Sequence, residues 1–320
     1  MKSTNRIAVL FLFSLLTAFG IICVSCKSTP AQVELEEVDP LALLDSKSSI
    51  YVGIPVKKHL ELTANVLSSQ ISSLSQKEAK KIASYIDVLY AGVGTLKDRS
   101  RLQFACQGEY PVNLLKKFMT SKNGWNVQNY KALSSEECLK LGYPNEFAIY
   151  SRSDSDFELS FASDKILCAA QKVDPLLEAY SIRPLAEENE ITAWIQNPQE
   201  DIMFYIVRPG QYLQNLIGAN LPVSCKAIYG RLIYSPDKEN PDVYSKEYEL
   251  NFNIVLANPK ASRGVINALS LSLGMMGAKA KIAEDVSINI YNVTVTENQI
   301  AGLFTRENYK PKHFVIEDKD

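Results

Sequence analysis

SIYVGIPVKKHLELTANVL, residues 49–67, reads as a β-strand, a proline and an amphipathic helix, and DIMFYIVRPGQYLQNLI, residues 201–217, repeats that order. The parallel continues downstream. Residues 88–118 give two strands around a polar turn and then Pro111 opening a helix, and residues 227–269 give the same order with a longer turn before Pro259. Ile50 corresponds to Ile202, Phe104 to Phe252 and Pro111 to Pro259, so the offset holds near about 150 residues. A steady offset of this kind points to a duplicated β-α-β-β-α unit.

Between the paired segments lie EFAIYSRS, DFELSFAS and KILCAAQ, separated by turn residues such as Asp154, Ser155 and Asp164. Short consecutive strands with tight turns imply antiparallel pairing. SINIYNVTV, residues 287–295, alternates its side chains in the same way. The fold class is therefore α+β: two related units with antiparallel sheets and helices packed on one face. The polar, acidic segment 181–190 marks the boundary, giving a first unit over residues 49–190 and a second over 191–320.

The N-terminus has a different character. Lys2 and Arg6 precede an apolar stretch over residues 7–24, and Val24 and Ser25 lead into Cys26. About 18 apolar residues are only marginally long enough for a permanent bilayer span. The order of positive end, apolar core and small residue before a cysteine resembles the lipobox signal of bacterial lipoproteins. Cys23, where the usual box has Leu, is similar to the relaxed boxes of spirochaete lipoproteins. The resemblance implies cleavage after residue 25, acyl chains on Cys26, and location in the bacterial cell envelope; it does not choose between inner and outer membrane, and the body is expected in the periplasm. Each buried CH₂ contributes about 0.8 kcal/mol, so two or three chains anchor stably where one does not. Residues 26–48, polar and acidic with Pro30 and Pro40, read as a tether.

Cleavage removes Lys2 and Arg6 and no acid, so 34 basic against 36 acidic residues becomes 32 against 36, a net charge of −4. No basic field remains to recruit nucleic acid. Of six cysteines, Cys106, Cys138, Cys168 and Cys225 remain available. Their wide spacing is unlike a disulfide scaffold, and Cys106 and Cys168 lie in apolar runs that suit buried thiols.

Common catalytic signatures are absent: no G-x-S-x-G, H-E-x-x-H, phosphate-loop or dinucleotide-binding motif occurs. Gly92-Val93-Gly94 falls in a strand context, where it reads as a bend. The two histidines are His59, at the start of a predicted helix and read as surface, and His313 in the tail. Acidic pairs such as Glu136 and Glu137 sit at helix starts, and Ser134 has capping-box spacing to Glu137. Strand tyrosines such as Tyr90, Tyr150, Tyr205 and Tyr248 suit half-buried sheet positions, with groove lining as the alternative. No metal, cofactor or catalysis is expected.

RGVINALSLSLGMMGAKAK, residues 263–281, is uncharged between Arg263 and Lys279. Read as one helix, it offers Leu269, Leu273, Met275 and Met276 as candidate membrane or lipid contacts. The resulting expectation is a lipid-anchored envelope protein that binds a hydrophobic ligand or an envelope protein in a cleft between its units. Membrane insertion through residues 263–281 is the alternative, and an exported hydrolase of unrecognised type is a third reading.

Overall fold

The computed structural model describes residues 38–70, 75–94, 102–134, 136–140, 142–182, 188–207, 209, 224–236, 245–274, 279–283 and 287–302. Their organising element is one twelve-stranded antiparallel sheet, in the order β11-β12-β10-β9-β8-β1-β2-β3-β7-β6-β5-β4. At its centre β1 (Ile50–Pro55) pairs with β2 (Ile86–Val93) on one side and β8 (Ile202–Val207) on the other. From β2 the sheet continues through β3 (Gln103–Gly108), β7 (Ile166–Ala170), β6 (Glu158–Phe161), β5 (Glu146–Arg152) and β4 (Trp125–Lys131). From β8 it continues through β9 (Cys225–Ser235), β10 (Glu247–Leu256), β12 (Ile288–Thr296) and β11 (Lys279–Ile282). β1-β2-β3 and β8-β9-β10 are thus two antiparallel meanders spreading outward from the β1–β8 pair. The join that was expected to be a cleft is a hydrogen-bonded strand pair.

Alternation along the strands feeds a core on each face. Tyr51, Tyr90, Ala105, Cys168 and Tyr205 point to one side, while Ile54, Leu89, Cys106, Leu167 and Ile202 point to the other. Cys106 and Cys168 therefore lie on opposite faces of adjacent strands and cannot bridge, and all four described cysteines are buried and outside any disulfide.

Helices cover both faces, which corrects the expectation of one covered face. Against the first core pack α5 (Asp174–Ile182), α6 (Glu190–Ile195) and a 3₁₀ turn over Pro40–Leu43. Val38, Leu41, Leu43 and Leu44 are buried there, so the folded body begins about ten residues earlier than the predicted tether end at residue 48. On the opposite face lie α1 (Leu60–Gln70), α2 (Gln76–Ala83), α3 (Val112–Phe118), α7 (Ser262–Gly274) and α8 (Glu297–Gly302). A further short helix, α4 (Glu136–Lys140), follows β4.

The predicted helix over residues 263–281 ends at Gly274, and Lys279–Ile282 forms β11 against β12 instead. Lys-Ala-Lys-Ile alternates with period two, which suits an edge strand and not a helical stripe. His59 is another correction. It is 1% exposed, with Nε2 2.7 Å from the Glu200 carbonyl oxygen and Nδ1 3.3 Å from the Tyr248 hydroxyl.

Candidate functional site

The exposed large apolar side chains among the described residues gather on α3, β4, α4 and the segments flanking them. α3 sets the pattern. Pro111 precedes it, and Tyr110 is anchored by its hydroxyl donating to the Cys106 carbonyl at 3.3 Å. Val112 and Leu115, three apart, turn toward the sheet core. Leu114 and Phe118, four apart, face solvent, and Phe118 is 59% exposed. Lys116 and Lys117 stand in the last turn. α3 therefore carries two apolar stripes, of which the core covers one.

The chain then turns sharply into β4. Gly124 adopts φ +79°, a left-handed conformation that suits glycine, and Asn123 Nδ2 donates to the Phe118 carbonyl at 2.7 Å. Arg152 fastens the turn: it donates to the Asn123 carbonyl at 3.0 Å, grips Asp154 through Nε (2.8 Å) and Nη2 (3.1 Å), and lies 5.2 Å over the Trp125 ring. Val127 on β4, Leu133 beyond it at 75% exposure, Leu139 on α4 and Ile182 at the end of α5 are also exposed.

Beneath α3 lies a cavity of about 340 Å³, floored by Phe147, Ala148, Tyr150 and Phe161 and roofed by Val112, Asn113 and Lys116. Tyr150 and Phe161 meet edge to face at 6.3 Å. An adjoining cleft of about 610 Å³ shares Asp164 with it and is lined by Lys57, Tyr85, Asp87, Glu109, Tyr110 and Lys165. A bulge at Asp87, the extra residue between Ile86 and Val88 of β2, brings its carboxylate to Lys57. Apolar floor and charged mouth together suit an amphiphilic molecule.

Of the predicted lipid contacts, Leu269 does not belong to this surface. Leu269 is fully buried against the sheet, because it lies on the core-facing stripe of α7 with Val265. Leu273 lies on α7, and Met275, Met276 and Cys26 lie outside the described residues. The surface that is present escaped sequence reasoning because α3 is short and β4 is polar. The signal in hand was the pair Leu114 and Phe118 out of step with Val112 and Leu115. Among the described residues no helix is long and apolar enough to cross a membrane, and no cluster of three or more His, Cys, Asp or Glu could hold a metal.

Comparison with known proteins agrees with the envelope assignment. The chain resembles solved structures of TP0453: crystal form I at TM-score 0.57 and 16% identity, covering 83% of this chain and 96% of that one. Crystal form III gives 0.56 and 18%, covering 83% and 97%. At such identity the likeness establishes the fold. No curated protein matches the sequence. The family signature described as outer membrane-associated lipoprotein TP0453 matches residues 35–301, and the chain belongs to that family.

Proposed function

We propose that this protein is held in the envelope by acyl chains on Cys26 and engages membrane lipid through the α3–β4–α4 side of its body, without catalysis. The observation that carries this reading is the exposed pair Leu114 and Phe118 beside Lys116 and Lys117 on α3. Apolar side chains next to lysines form the pattern of an interfacial helix, whose cations meet lipid headgroups while the apolar stripe enters the acyl boundary. The cavity beneath α3 supports the same reading, since it would receive an acyl chain or another small amphiphile. The meanders on either side of β1–β8, together with the near-constant sequence offset, support an origin by duplication of one unit.

Flotation of residues 27–320 with vesicles containing phosphatidylglycerol tests the reading. The wild-type body is expected to float, and Phe118→Asp combined with Leu114→Asp to reduce the floating fraction at least fivefold. Loss in Leu273→Asp with retention in the α3 variant would move the contact to α7. No binding in any variant would refute a membrane role for the body.

A further inference from the structure

The two edges of the sheet are built differently. β11 is four residues long and carries the exposed Lys279 and Lys281, the usual protection of a free edge. β4 is seven residues long, has no proline, and holds an unbroken register with β5 from Trp125↔Arg152 to Lys131↔Glu146. Its single charge, Lys131, stands at the end and pairs with Glu146 at 3.6 Å. Residues 126–129 are exposed on both faces, and among the described residues no strand occupies the outer side. An unprotected edge of this length is a template for another strand.

We propose that the β4 edge pairs antiparallel with β4 of a second copy of this chain, about a two-fold axis at Gln128. The sequence Trp-Asn-Val-Gln-Asn-Tyr-Lys is compatible with itself in that register. Trp125 stands opposite Lys131, Asn126 opposite Tyr130, Val127 opposite Asn129, and Gln128 opposite its own copy, so no like charges meet. Lys131 arrives beside an indole that already carries Arg152, whose charge Asp154 balances. A two-fold axis uses the same edge on both copies and closes the assembly, leaving the lysine-guarded β11 edges outermost. Acyl chains on Cys26 confine the copies to one plane and raise their effective concentration.

Cysteine cross-linking of the lipidated mature chain in phosphatidylcholine vesicles tests this. Directly opposite residues have Cβ atoms about 4.5–5.5 Å apart, close to disulfide reach. Asn126 and its copy would be four positions out of step, roughly 13 Å. Under mild oxidation Gln128→Cys is expected to give at least fivefold more covalent dimer than Asn126→Cys or wild type, and Gln128→Lys to shift sedimentation from dimer to monomer. Equal cross-linking at both positions, none at either, or dimers that survive Gln128→Lys would overturn the pairing. So would a Gln128→Cys thiol shielded from water-soluble maleimide without dimer, which would mean that the bilayer covers the edge. The α3 flotation experiment reads membrane contact separately, so either proposal can fail alone.

Discussion

His59 joins the start of α1 to the second half of the sheet, through the Glu200 carbonyl and Tyr248, which is itself completely buried. Burial depresses its pKa. The Glu200 hydrogen bond and Asp201 favour the charged form, while Lys58 opposes it. The folded protein therefore binds this proton less readily than the unfolded chain, whose histidine titrates near about 6.5. Stability is complete above that value and falls as pH drops below it. The thermal midpoint should decline between pH 7.5 and 5.5, and His59→Gln, destabilised by about 1–3 kcal/mol at pH 7.5, should decline less. A parallel decline in both would exclude His59 as the source. The same desolvation pushes the Cys106 thiol up to about 12 and raises that of Cys168. A thiol reagent should leave the native body almost unmodified and titrate four cysteines after denaturation.

α7 and α3 make opposite use of apolar residues. On α7 Leu269 belongs to the sheet core, so Leu269→Ala should destabilise the body by about 2–5 kcal/mol in a denaturant titration. Beyond β4, Leu133→Ser should change stability by no more than about 0.5 kcal/mol, because it removes exposed surface, while lowering vesicle binding. At the C-terminal end of β3 the backbone itself is the constraint: a Cβ on Gly108 would lie 2.0 Å from the Tyr85 carbonyl oxygen. Gly108→Ala should cost about 1–3 kcal/mol and loosen the charged cleft. A variant as stable as wild type would show that the crossing relaxes freely.

The meander strands were legible because alternation and short apolar runs are local signals. β6, β10 and β12 fall within stretches whose apolar positions largely repeat every second residue, while β2, β3, β5 and β7 are short apolar runs bounded by polar or turn residues. β4 was not legible, since an edge strand exposed on both faces shows no apolar period. His59 was misread because Lys57 and Lys58 before it signal solvent, whereas its burial depends on Tyr248, 189 positions away. The union of the halves through β1–β8 is likewise a backbone pairing across distant sequence, on which composition is silent. What the whole molecule adds is polarity of surface: well-covered cores on both faces of the sheet and an uncovered apolar margin at the β4 end. Trp125 sits at that margin, while Trp194 packs against Tyr229 on the α6 side. The most direct measurement is quenching of tryptophan fluorescence by brominated lipid in vesicles, using a Trp194→Phe body in which Trp125 is the remaining tryptophan. The account predicts strong quenching of Trp125 that Phe118→Asp abolishes. Quenching of Trp194 in a Trp125→Phe body, with none at Trp125, would contradict it.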